Sequence, residues 1–61
     1  MIHAILTYTA MKSLLKDLKN NNVAYALATK SEIFIDDTPK GQLSIRLVKE
    51  RFGIRNIKTI D

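Results

Sequence analysis

Of the seven carboxylate and histidine side chains in this chain of 61 residues, four stand out as candidates for acid–base or metal chemistry: the single histidine, His3, and the carboxylates Glu32, Asp36 and Asp37. Glu32, Asp36 and Asp37, with Lys40 close behind, have the hard oxygen ligands and the nearby cation that a divalent metal and a phosphate would need. Consecutive residues of a strand point to opposite faces, however, so Asp36 and Asp37 do not aim at one ion unless a turn has already begun. Aspartates beside Pro39 and Gly41 are ordinary turn residues. His3 has no serine nucleophile placed by a motif, and Gly41 and Gly53 stand alone, without the spacing that cradles phosphates. Cysteine is absent, which excludes a disulfide framework, thiolate chemistry and the zinc ligand sets that use Cys. One histidine excludes two-His metal motifs. The expectation is a protein that is not an enzyme and that holds no metal or cofactor.

The cations point elsewhere. Ten Lys and Arg against six Asp and Glu give a net charge of +4, and the sequence pI is about 9.7. Lys12, Lys16 and Lys19 share one stripe of a helix, and such a row can follow a phosphate backbone, with affinity that falls steeply as salt rises. Arg46, Lys49, Arg55 and Lys58 form a second basic group, beyond an acidic stretch at 31–39. Aromatic residues are few (Tyr8, Tyr25, Phe34 and Phe52), and no glycine–aromatic run of the kind found on RNA-binding sheets occurs. Nucleic acid, RNA or DNA, is therefore the alternative partner class rather than the first.

The elements that position these groups follow from hydrophobic spacing. Residues 2–9 are rich in β-branched and aromatic side chains and predict a strand, with Ile2, Ala4, Leu6 and Tyr8 on one face. Met11, Leu14, Leu15 and Leu18 recur at helical spacing; Thr9 or a neighbour caps this helix, and Asn20, Asn21 and Asn22 end it. Residues 23–29 alternate Val23, Tyr25 and Leu27 with Ala24, Ala26 and Ala28, and residues 32–36 predict the strand paired with them in a hairpin. The run from Asp37 to Gly41 carries turn chemistry. A helix is expected from 43 or 44 to 52, with Ser44 as N-cap, Leu43 and Leu47 widening its apolar face, and Gly53 as the closing residue. A last strand spans 54–60. The alternative for 42–47 is an extension of the hairpin.

The order βαββαβ over a single domain, residues 1–61, predicts an α+β fold. It is a minimal ferredoxin-like two-layer sandwich, a four-stranded antiparallel sheet with two helices on one face. A domain of this length buries only about 60% of its unfolded surface, so its core is marginal. Alanines under the helices would turn Val23, Tyr25 and Leu27, with Tyr8 of the first strand, toward a bare sheet face. An apolar face of that size marks an interface. Tyr8, Val23, Tyr25 and Leu27 are thus the expected partner-binding residues, and the partner is another protein or a second copy of the chain in a homodimer. Edge pairing would add main-chain hydrogen bonds, and the tyrosines anchoring area.

The run Lys40-Gly41-Gln42-Leu43-Ser44-Ile45, followed by Lys49-Glu50-Arg51-Phe52-Gly53-Ile54, resembles the strand and short helix of AbrB-type swapped-hairpin transition-state regulators. The resemblance covers residues 40–54. Arg46 stands where that family has a proline before the helix, and only eight residues follow Gly53, so no residue roles are carried over. The resemblance adds weight only to the DNA-binding alternative.

No apolar run approaches the ~20 residues of a membrane span, and the start, MIHAILTYTAM, lacks the pattern of a secretory signal. A cytoplasmic protein with no membrane partner is expected. Its Lys, Ile and Asn bias is typical of AT-rich coding sequence. Small size without catalytic apparatus fits an accessory protein of the kind that bacteriophages and mobile elements encode. Such a protein would act in the host cytoplasm by binding and inhibiting a host or defence protein.

Overall fold

The computed structural model describes residues 1–60; Asp61, the last residue of the expected domain, lies outside them. Six elements follow one another: β1 (Ile2–Ile5), α1 (Tyr8–Asn20), β2 (Tyr25–Leu27), β3 (Glu32–Ile35), α2 (Pro39–Phe52) and β4 (Ile57–Thr59). The strands form one sheet in the order β2-β3-β1-β4, and each neighbouring pair is antiparallel. This is the expected α+β two-layer arrangement, and its strand order fits the ferredoxin-like pattern.

Register decides which side chains meet the helices. Ile2 pairs with Ile35 and Ala4 with Ile33 across the two central strands. All four are buried, and they form one core with Ala10, Met11, Leu14 and Leu18 of α1 and Ile45 and Val48 of α2. The helical spacing on α1 thus does what the sequence implied: its apolar stripe lies on the sheet and its lysines face out. Asn21 closes that helix, and Asn22 takes a positive φ of 56° that asparagine tolerates better than most residues.

Several boundaries differ from expectation, and those of the two helices for a local reason. Thr7 rather than Thr9 caps α1, accepting the Ala10 N–H at 3.3 Å on its hydroxyl oxygen, so β1 stops at Ile5 and Tyr8 is helical. The second helix starts at Pro39, not at 43 or 44, and Asp37–Gly41 is no reverse turn. Thr38 caps it through the Gly41 N–H at 3.1 Å, and Pro39 in the first helical position brings a preset φ without losing a needed donor. Ser44 is buried inside the helix instead of capping it. Lys40 and Gly41 are helical too, whereas the AbrB-type resemblance needs a strand there, and it ends at this point. Gly53 closes α2 in the left-handed conformation, as expected. The outer strands are short: β2 covers 25–27 of the expected 23–29, and β4 covers 57–59 of 54–60.

Gly41 is required by a close approach. A Cβ there would run into the carbonyl oxygen of Asp36 and crowd Ile35 and Thr38. Within a helix, Gly→Ala ordinarily stabilises by about 0.5–1 kcal/mol. Here the sign is reversed. Gly41→Ala is expected to lower the melting temperature by more than Thr38→Ala, whose lost cap costs ~1 kcal/mol, or about 4–8 °C for a domain this small. Thermal denaturation of the two variants checks this, and a stabilised Gly41→Ala protein would refute the close approach.

Candidate partner-binding surfaces

The second strand presents the opposite face from the one expected. Tyr25 pairs with Ile35 and Leu27 with Ile33, both fully buried under the helices, so Val23, Tyr25 and Leu27 lie on the helix side. Ala24, Ala26 and Ala28 face outward. The reason is geometric. An edge strand lies beyond the middle of a two-helix layer, and side chains larger than alanine are needed to fill the space there; alanines would leave a void beneath α1. Val23 is accordingly buried, and Tyr25 is half-buried against the core.

Of the four expected partner-binding residues, the fold therefore brings together two. Tyr8 is 74% exposed and Leu27 is 52% exposed. Both line an open groove of about 420 Å³ between α1 and β2, with Met11 and Leu15 in its walls and Lys12 and Lys30 beside them. The Lys12 ammonium sits 5.6 Å from the centre of the Tyr8 ring, within cation–π range. Alternation in the sequence marked Leu27; Met11, Leu15 and Lys30 became visible only once α1 was placed over β2.

Beside this groove runs a free main-chain edge. The Ala28 N–H donates to the Glu32 carbonyl at 3.0 Å and the Asp36 N–H to the Ala24 carbonyl at 2.9 Å. In an antiparallel pair these bonds alternate, so the even-numbered residues of β2 bond inward to β3. The N–H and C=O groups of Tyr25 and Leu27 point away from the sheet.

The sheet face opposite the helices carries a different set. Its middle row runs Lys58, His3, Phe34, Ala26 across β4, β1, β3 and β2. The row on one side is Asn56, Ile5, Glu32 and Ala28, joined by the pairing of Ile5 with Glu32 and by main-chain bonds from Ile5 to Asn56 and from Ala28 to Glu32. The row on the other side has Ile60 bonded to Met1, and Asp36 bonded to Ala24. At the centre the His3 and Phe34 rings lie 4.7 Å apart, tilted by 33°. His3 Nε2 is 3.1 Å from a Glu32 carboxylate oxygen, which gives both polar groups a partner.

The expected nucleic-acid residues are divided among several surfaces. Lys12, Lys16 and Lys19 are exposed along α1. Arg46 and Lys49 line a cleft between α2 and β4 with Asp37, Gln42 and Thr59. Arg55 lies in the connection to β4, and Lys58 is on the open sheet face. Among the described residues, no lysine or arginine lies within ion-pair distance of a carboxylate. Leu43 and Leu47 are 55% and 45% exposed on α2 rather than part of its buried face. Among the described residues no three acidic or histidine side chains converge as metal ligands, and no helix is long and apolar enough to cross a membrane.

Set against protein-family models, curated protein sequences and solved structures, the chain has no match.

Placing Tyr25 against the core changes what its substitution does. Tyr25→Asp sets a carboxylate against buried aliphatics and is expected to destabilise by about 2 kcal/mol or more. Tyr8→Asp, at an exposed first-turn position, is expected to stay within ~0.5 kcal/mol. Urea unfolding of both variants separates the two positions; equal midpoints would contradict the burial of Tyr25.

Proposed function

We propose that this protein is a binding module that captures an extended segment of another protein along β2, and modulates that partner by occupying the segment. The observation that carries the reading is the juxtaposition at one edge of a free main-chain ladder with an apolar groove. Tyr25 and Leu27 offer outward N–H and C=O groups, and Tyr8, Met11, Leu15 and Leu27 offer apolar walls beside them. Strand addition uses both parts: main-chain hydrogen bonds give affinity, and alternate side chains entering a groove give specificity.

Charge selects the occupant. Lys12 and Lys30 border the groove, and no carboxylate lines it. A second copy of the chain docked strand-to-strand here would bring four of these lysines together, so the favoured partner segment is a foreign one. It carries apolar residues at alternate positions, flanked by Asp or Glu. Rim charges of this kind chiefly raise the association rate and discriminate among partners.

A second reading rests on the unpaired cations. Lys12, Lys16 and Lys19 stand in an exposed row on α1 without ion-pair partners among the described residues, which favours a polyanion along that helix.

Selection of displayed random peptides on the purified protein tests the first reading. Recovered sequences are expected to show alternating apolar residues with acidic flanks, and to lose binding at least about tenfold on Leu27→Asp, whose exposed site leaves the fold intact. Recovery of basic or patternless peptides, or binding indifferent to Leu27→Asp, would refute it. For the second reading, binding to a single-stranded oligonucleotide is expected to disappear when Lys12, Lys16 and Lys19 are changed to Glu, and to weaken steeply with salt in the parent protein. Oligonucleotide binding that ignores both changes would rule out the lysine row.

A further inference from the structure

We infer that the open sheet face is a self-recognition surface, on which a second copy of the chain packs face to face about a two-fold axis parallel to the strands. The inference is independent of the groove at β2, because it rests on side chains of the opposite face.

The argument starts from an asymmetry of size. One edge column of this face, on β2, is all alanine (Ala24, Ala26 and Ala28) and exposed. The opposite edge column, on and around β4, is large: Asn56, Lys58 and Ile60, also exposed. Sheets packed face to face lie ~10 Å apart, and their inner side chains must together fill that layer. An axis parallel to the strands reverses the strand order and keeps the rows in register. The large column of each copy then fills the space above the alanine column of the other, and at the centre the Phe34 ring of one copy meets the His3 ring of the other.

The alternative axis fails on both size and charge. An axis perpendicular to the strands sets alanine against alanine, which leaves a void along one side. It also sets Lys58 against Lys58, which is repulsive. The central polar pair does not oppose the first arrangement, since Glu32 and His3 satisfy each other within one copy at 3.1 Å. Asp36, exposed in the outer row just past the end of β3, stays at the rim.

The face is small, four strands at ~4.8 Å spacing with about three outward residues each, so a dimer in the micromolar range is expected rather than an obligate one. In that dimer the two β2 grooves face outward at opposite sides, and both remain open to a partner segment.

The arrangement makes a pairwise demand that can be measured. Ala26 of one copy faces Lys58 of the other, because both belong to the middle row. Sedimentation equilibrium from about 5 μM to about 1 mM should show a monomer–dimer equilibrium. Ala26→Lys is expected to weaken association at least about tenfold by placing two ammonium groups together, and Ala26→Asp to preserve or tighten it. The combination of Ala26→Lys with Lys58→Asp is expected to restore association to within about threefold of the parent. Far-UV circular dichroism, unchanged in all three, shows that these exposed substitutions leave the fold intact. A protein that stays monomeric to the highest concentration overturns the inference. So does a dimer that tolerates Ala26→Lys, or one that the double variant does not rescue; a dimer sensitive to Leu27→Asp instead belongs to the β2 edge.

Discussion

The pairing of β1 with β3 fixes what every surface of this molecule presents. With Ile2 opposite Ile35 and Ala4 opposite Ile33, four side chains of the two central strands lie under both helices. The same pairing sends His3, Ile5, Glu32 and Phe34 to the other side. A slip of one residue would exchange the two sets and place Glu32 and His3 beneath Leu14 and Leu18, at the cost of burying a charge among aliphatics. Register is therefore strongly specified at the centre. It propagates outward, through Phe34 to Ala26 and through His3 to Lys58, and so determines which residues of the edge strands are available to a partner.

How much of this was legible in the sequence differs between elements for physical reasons. The stripe on α1 was clear because Met11, Leu14 and Leu18 leave only one face that buries them all. The alternation on β2 was equally clear, but alternation says which residues share a face, not which layer that face meets. Alanine fits either side, and only the position of β2 at the sheet edge settles the matter: Val23 and Tyr25 must reach inward because no central strand stands between them and the end of the helix layer. The start of α2 was obscured because Thr38, Pro39 and Gly41 serve a turn and a helix start equally well. Gly41 was the least legible residue of all, since its role is a close approach to the Asp36 carbonyl, a contact between segments that no local pattern records.

The candidate surfaces inherit this mixture. Tyr8 and Leu27 were identified from the sequence, yet for a face on which neither lies. The groove that brings them together is assembled from the first turns of α1 and the helix-facing side of β2, and Lys30 joins it from the hairpin. Of the expected basic residues, Lys12 belongs to this groove, whereas Arg46 and Lys49 belong to a separate cleft beside β4. A single stripe read from helical spacing thus reaches two surroundings: Lys12 borders an apolar groove, and Lys16 and Lys19 continue along open solvent.

A domain of 61 residues has total stability on the order of 3–9 kcal/mol, and this bears on how it can bind at all. A partner that had to unfold or repack the core would draw on most of that reserve. The proposed strand addition at β2 and face-to-face packing on the open sheet would avoid this. Both use groups already held in place by the β1–β3 register, and both bury side chains that the folded chain leaves exposed. The two modes also act on different edges of the same energy balance. A strand added at β2 would extend the sheet and hold Tyr25 and Leu27 in their extended conformation, while a second copy over the open face would shield Phe34 and the alanine column from water. The two proposed contacts would meet on one strand: Ala26 turns its side chain to the open face, while Tyr25 and Leu27 on either side of it direct their main-chain groups outward along the edge.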